Sequence, residues 1–357
     1  MKLKNSLSRY RFCALAITCS ALVAACGGGG SNNSNSSNQT NNGGTSNNSS
    51  TSVMLMQPAA TAVSLTATGD PTADGITFMN SVRAAVGYTT PLAVDPTLTT
   101  VSKNHTVYLV DNAATGHNET AGLPGFTGSS PMARDPNFAA EVVVAGDPAA
   151  FQNSLSPVED IFNAPYHRMG MLSNYTAMGV ASTIGTSTTG VPWEALNIDF
   201  AGLNTTASPA QLVAYPFPGE TGVQRSWWEA ESPDPFATQP QYQNTYVGYP
   251  VTIQSVVGAK LSSVSITITD SNGNNVPCLL NASDNDTELN NGAMCIPFAP
   301  LQANSAYTAH LTGVLTDMSG KTYSISNLSW TFTTGAALIN NAAALPGVVP
   351  LQHPRPD

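Results

Sequence analysis

The sequence predicts a mixed α/β domain followed by a small all-β sandwich, and three observations predict it. Apolar side chains recur at helical spacing at Phe78, Met79, Val82 and Val86, and again at Leu98, Val101 and Tyr108. Between residues 193 and 200 they alternate instead, at Leu196, Ile198 and Phe200. Beyond residue 249 alternation takes over, first at Val264, Ile266 and Ile268, then at Tyr307, Ala309 and Leu311, and last at Leu328, Trp330 and Phe332. Asn272 and Gly273 form a turn signal among them. A chain of 357 residues is long enough for two domains of ordinary size.

The first residues are of another kind. Lys2, Lys4, Arg9 and Arg11 precede an apolar run over residues 13–25 that is too short to span a bilayer as a mature helix. Together they read as a signal peptide over 1–25. The run ends in Leu22, Val23, Ala24 and Ala25 before Cys26, which resembles the lipobox of bacterial lipoproteins. That resemblance implies cleavage before Cys26, lipidation of Cys26 and attachment to a membrane through the lipid. Gly27, not Asp, follows the cysteine, so in a diderm organism the resemblance points to the outer membrane. Residues 27–52 contain no apolar side chain, so nothing there offsets the entropy of ordering. They read as a Gly/Ser/Asn tether with a span of roughly 25–30 Å, drawn here over 26–60.

Residues 70–202 read as the α/β domain. The first helix covers 75–86 and is stopped by Gly87. Asp95 and Pro96, an N-cap and a proline at the first helical position, open the second, which carries His105 on its apolar face as a packing residue. Residues 113–137 are a Gly- and Pro-rich loop. Residues 142–145 form a short strand. Ser156 to Glu159 reads as a capping box that starts a helix through Ile161 and Phe162. A helical turn or two over 165–172 follows, and then strands over 177–181 and 193–200.

Residues 203–248 are Pro-rich and aromatic around Trp227 and Trp228, and read as a linker packed on both neighbours. Residues 249–335 are all-β, with the spacing of a small sandwich, and the run WTFTT at 330–334 resembles the last strand of bacterial Ig-like repeats. Residues 336–357 show no period and read as a loose tail.

Twelve Lys and Arg stand against 22 Asp and Glu. Setting aside the four basic residues before residue 12 leaves a formal charge near −14. No basic stripe is present, which argues against nucleic acid as a partner and against a polybasic grip on anionic lipid. Cys13 and Cys19 leave with the signal peptide and Cys26 takes lipid. Cys278 and Cys295 remain, either as a disulfide, favoured by export and worth roughly 3 kcal/mol, or as two buried thiols.

Residues 78–180 resemble a bacterial CAP domain (SCP/PR-1-like). The pieces that carry the resemblance are FMNSVRAAVGYTTPLAVDPTLTTVSKNHTVYLVDN, GHNETAGLPGFTG and VEDIFNAPYHRMGMLSNYTAMGVA, in that order. It implies an α-β-α sandwich with two histidines and one or two glutamates in a central cleft, where some members bind a divalent metal. Carried over by position, these are His117, His167 and Glu141, with Glu119 beside His117. Imidazole and carboxylate suit zinc or a similar ion, and three such ligands would leave a position open for water. This chain departs from the pattern at Ala140, Val142 and Ile161, and has no acid one turn before His167, which weakens any metal site. Asn80 and Arg83 read as ties between the first helix and the core.

Three functions follow as expectations. The first is a cell-envelope lipoprotein whose cleft binds a small ligand and a divalent metal. The second is a metal-dependent hydrolase in which His117, Glu141 and His167 hold the metal and Glu119 is the general base. The third is a structural or adhesive protein that docks an envelope partner through its β-sandwich.

Overall fold

The computed structural model describes residues 52–338. The signal peptide, lipidation at Cys26, most of the tether and the tail beyond residue 338 lie outside the described residues. In chain order the elements begin with β1 (Met54–Leu55), α1 (Pro71–Val86), β2 (Ala93–Val94), α2 (Pro96–Asn112), α3 (Pro131–Arg134) and β3 (Ala140–Gly146). Next come α4 (Ser156–Asn163), α5 (Pro165–Met171), β4 (Tyr175–Thr186), β5 (Pro192–Leu203), β6 (Gln211–Tyr215), β7 (Glu220–Val223) and β8 (Ser226–Trp228). The remainder are β9 (Tyr246–Gly248), β10 (Val251–Gln254), β11 (Lys260–Asp270), β12 (Asn275–Val276), β13 (Cys278–Ala282), β14 (Gly292–Pro297), β15 (Ala306–Thr316) and β16 (Thr322–Thr334).

Local chemistry starts the two long helices. Asp70 accepts from the N–H of Thr72 at 2.9 Å and of Ala73 at 3.3 Å, and Pro71 opens α1. Asp95 does the same for α2 at Thr97 and Leu98. The capping box expected at residue 156 does not form: the cap residue is Leu155, without a side-chain bond, and Ser156 instead accepts from the N–H of Asn153. Gly87 ends α1 with φ +114°, where a Cβ would lie 2.5 Å from the carbonyl oxygen of Gln57.

These helices enclose a four-stranded sheet of order β2-β4-β5-β3. Side chains alternate across it. Val142, Val144, Leu196, Ile198 and Phe200 face α1, α4 and α5, whereas Val143, Ala145 and Ala195 face Tyr108, Leu109 and Val110 of α2. The result is three layers, α2 on one face and α1, α4 and α5 on the other. Helix α2 comes closest at Gly179 of β4, where an added Cβ would lie 2.1 Å from the backbone carbon of Leu98.

Two five-stranded sheets, β1-β6-β10-β14-β13 and β12-β11-β15-β16-β7, make up the second half. Ile266 and Ile268 of β11 and Ile253 and Met294 of the facing sheet are buried in one apolar core. A disulfide joins Cys278 of β13 to Cys295 of β14, with Cα atoms 5.6 Å apart.

Three boundaries differ from the sequence reading. The tether drawn to residue 60 gives way at Met54, because β1 pairs in parallel with β6 and buries Leu55. The segment 203–248, read as a linker, supplies β6 and β7, one strand to each sheet of the sandwich, and the β8-β9 ribbon. The tail read as loose from residue 336 is held at Leu338, whose carbonyl accepts from the N–H groups of Arg225 and Ser226. The halves also interlock. Arg168 of α5 donates to the carbonyl of Pro250 at 2.8 Å, and Gln254 donates to that of Met169 at 2.8 Å. Residues 52–338 accordingly belong to one compact unit. No helix among the described residues is long and apolar enough to cross a membrane.

Candidate binding site

Where α2 lies on β5 and β3, the interface is polar. Leu98, Ser102, His105 and Leu109 recur at helical spacing and all are buried. Opposite them, Asn197 and Asp199 of β5 and Glu141 of β3 project toward α2 rather than toward solvent. The loop from 113 to 137 crosses the same face and brings in His117, Glu119 and Arg134.

The contacts form a continuous network. His105 Nδ1 is 2.9 Å from Glu119 Oε1, and its Nε2 is 3.0 Å from the carbonyl oxygen of Gly116. Each ring nitrogen of His105 faces an oxygen. Glu119 Oε2 also accepts from the N–H groups of Thr127 at 2.6 Å and Gly128 at 3.1 Å. Arg134 donates through Nη2 to both oxygens of Glu141, at 2.9 and 2.6 Å, and through Nη1 to the carbonyl of His117 at 2.8 Å. His117 Nδ1 meets Glu141 Oε1 at 2.8 Å. Asn197 donates to Glu141 Oε2 at 3.3 Å and to Asp199 Oδ2 at 2.8 Å.

The charges divide by environment. Burial acts to raise the pKa of Glu141, but the hydrogen bond from His117 and the charges of His105 and Arg134 outweigh it, so this carboxylate stays ionised. Glu119 is lowered in the same way, with burial opposed by His105 and the two backbone donors. Asp199 goes the other way: burial and the neighbouring Glu141 raise its pKa and favour the protonated acid. Ser102 Oγ lies 2.6 Å from Asp199 Oδ2 and 3.0 Å from the carbonyl oxygen of Gly179. One hydroxyl proton cannot serve two acceptors. A protonated Asp199 resolves the conflict by donating to Ser102, which then donates to Gly179.

Only His117 opens outward. Its side chain is 33% exposed against 1% for Glu141. With Nδ1 engaged, Nε2 has no hydrogen-bond partner among the described residues. A carboxylate that fixes the tautomer and aim of an imidazole makes it a defined acceptor.

The structure thus brings together His117, Glu119 and Glu141, but not His167. His167 sits in α5 on the opposite face of the sheet, where Gly170 packs on Val142, and its Nδ1 and backbone N–H meet Glu231 Oε1 at 2.7 and 2.9 Å. The cleft expected to hold both histidines is not formed, because Glu141 and Val142 point to opposite faces of one strand. Of the expected metal set, His117 and Glu141 lie together, joined through Nδ1 and Oε1, with Arg134 also on both Glu141 oxygens, while His167 lies apart. Among the described residues no three His, Cys, Asp or Glu side chains converge as metal ligands. Glu119, expected at a rim or as a general base, is 4% exposed and fully bonded. Sequence reasoning took His105 for packing and passed over Arg134, Asn197 and Asp199. Strand alternation assigned the last two to solvent, and the available signal was the polar Ser102 on the buried face of α2.

Fold and site define a mixed α/β protein with an appended β-sandwich, carrying a buried ionic cluster that exposes one imidazole. No protein-family model matches the chain, and no curated protein matches it. Among solved structures it is similar to an outer surface protein from Borrelia burgdorferi, at 18% identity and a TM-score of 0.27, over 37% of this chain and 96% of that one. A likeness at that level carries no argument about activity.

Proposed function

We propose that this chain is a cell-envelope lipoprotein, anchored through Cys26, whose CAP-like half binds a small ligand at His117 without itself being a metal-dependent hydrolase. The observation that carries the reading is the single outward Nε2 of His117, aimed by Glu141 and backed by Arg134. The order of the CAP-like sequence pieces and the three-layer stacking support the family reading, and residues 1–26 support the anchor. A lone oriented imidazole accepts a hydrogen bond from a ligand hydroxyl or ammonium group. The acidic surface of the mature chain adds long-range attraction for cations. Hydrolysis by a metal-bound water would need a second and third ligand beside His117, and the groups around it are already committed.

The test is an NMR titration of the full chain with neutral sugars and with polyamines, following the His117 imidazole signals. One of these classes shifts the His117 signals at saturable concentration, and His117→Ala loses that binding while keeping its melting temperature. Equal binding by native and His117→Ala chains, or no saturable shift with either class, would sink the proposal.

A further inference from the structure

A cavity of about 100 Å³ lies on the seam between the two halves, where α1 and α4 meet the end of β6 and the length of β7. It is smaller than the sites that take drug-sized ligands. Val63, Leu65, Phe78, Val82 and Phe162 give it an apolar wall, and the exposed Thr221 and Gly222 lie at its rim. Most of its polar groups are engaged. Glu220 accepts from the Tyr215 hydroxyl and from the Phe217 N–H, each at 3.0 Å. The side-chain oxygen of Asn163 accepts from Tyr249 at 2.9 Å and from Gln224 at 3.1 Å.

Glu159 is the exception. It shares one face of α4 with Phe162 and Asn163, three and four residues further on, and all three line the cavity. Its carboxylate forms no hydrogen bond and no ion pair among the described residues, and burial alone pushes its pKa up. Neither of its oxygens is sealed from the surface. No Lys, Arg or His lines the cavity. The nearby Arg168 gives its guanidinium to the carbonyls of Phe162, Asn163 and Pro250. A place in the first turn of α4 favours a negative charge. It does not account for an acid set among apolar side chains without a counter-charge, which is costly.

These features discriminate among cations. A metal ion needs several oxygen ligands. A primary ammonium brings three N–H donors, and one carboxylate is left to receive them. A quaternary ammonium brings a positive charge and no donor, and its methyl groups suit an apolar and aromatic wall.

We propose that this cavity is a second binding site, which takes a small quaternary ammonium group with its methyl groups against Val63, Leu65, Phe78 and Val82 and its charge balanced by Glu159. The site is independent of His117, and its occupancy does not require that ligand.

Calorimetric titration of the full chain with choline, with its uncharged isostere 3,3-dimethyl-1-butanol and with ethanolamine tests it. Choline binds with unit stoichiometry, about tenfold or more tighter than either of the others, and the His117 imidazole signals stay in place as it saturates. Glu159→Gln keeps the shape of the side chain and breaks no bond, so it folds as the native chain does and binds choline no better than the isostere. Leu65→Trp, which fills the cavity from its wall, abolishes binding. Phosphatidylcholine vesicles that displace choline assign the group to a lipid headgroup, and vesicles that do not assign it to a free solute; both results keep the site. Absence of choline binding, equal affinity for choline and its isostere or ethanolamine, undiminished binding by Glu159→Gln, or a shift of the His117 signals with choline would overturn the proposal.

Discussion

Arg134 holds both oxygens of Glu141, at 2.9 and 2.6 Å, from the end of a helix only four residues long. The loop between α2 and β3 leaves Leu123, Phe126 and Met132 exposed, and the contact of Arg134 with Glu141 together with Glu119 fixes it to the sheet. Pairing compensates charges that burial alone would make costly.

Removing one partner should therefore cost more than removing the pair. Arg134→Met leaves Glu141 and Glu119 buried without their cation and is expected to lower stability by about 3–5 kcal/mol. Adding Glu141→Gln to that variant should restore part of the loss. Urea unfolding of the two single variants and the double variant reads the coupling, and strictly additive losses would show that the two side chains do not act as a unit.

Stability should be greatest in mildly acidic solution. Burial raises Glu194 to about 7, and burial raises Glu220 to about 7 against the bonds from Phe217 N–H and Tyr215 hydroxyl. A carboxyl raised in the folded state contributes stability that is present in full below its unfolded value, near 4.5, and is lost as pH rises through 7. For Glu220 the loss is on the order of 3 kcal/mol. Glu119 and Glu141 are lowered, so their contribution is present above the ordinary glutamate value and is lost as pH falls below it. Melting temperatures measured from pH 3 to 9 should peak near pH 5, and Glu220→Gln should flatten the alkaline limb. Gln keeps an acceptor for the Phe217 N–H, and the Tyr215 hydroxyl, which donates to Glu220, turns to accept from the amide instead. An alkaline limb unchanged by that substitution would remove Glu220 as its source.

Gly179 sets the distance between α2 and the sheet. A methyl group there meets the backbone of Leu98, which cannot rotate away as a side chain can. Gly179→Ala is expected to cost about 1–3 kcal/mol, or more if the helix must shift. The shift would also loosen Ser102 and His105, so circular dichroism melting and the His105 imidazole signal should change together. A variant as stable as the native chain would mean that α2 moves freely on β4.

The sequence by itself determined the parts of this protein that rest on local physics. The faces of α1 and α2, the caps at Asp70 and Asp95, the stop at Gly87 and the alternation in β5 and β11 all depend on residues within a few turns of one another. The tertiary structure alone decided which face of β5 is covered. Asn197 and Asp199 occupy the positions that alternation assigns to water, and they became interior because α2 closes over them. It also decided that β1, β6 and β7 join a sandwich whose other strands lie up to 100 residues and more away, since short strands carry too little pattern to declare a partner. His117 and His167 look equivalent in the chain and lie on opposite faces of one sheet. Which face a side chain takes depends on strand register and helix placement, and both are settled by contacts between segments distant in sequence.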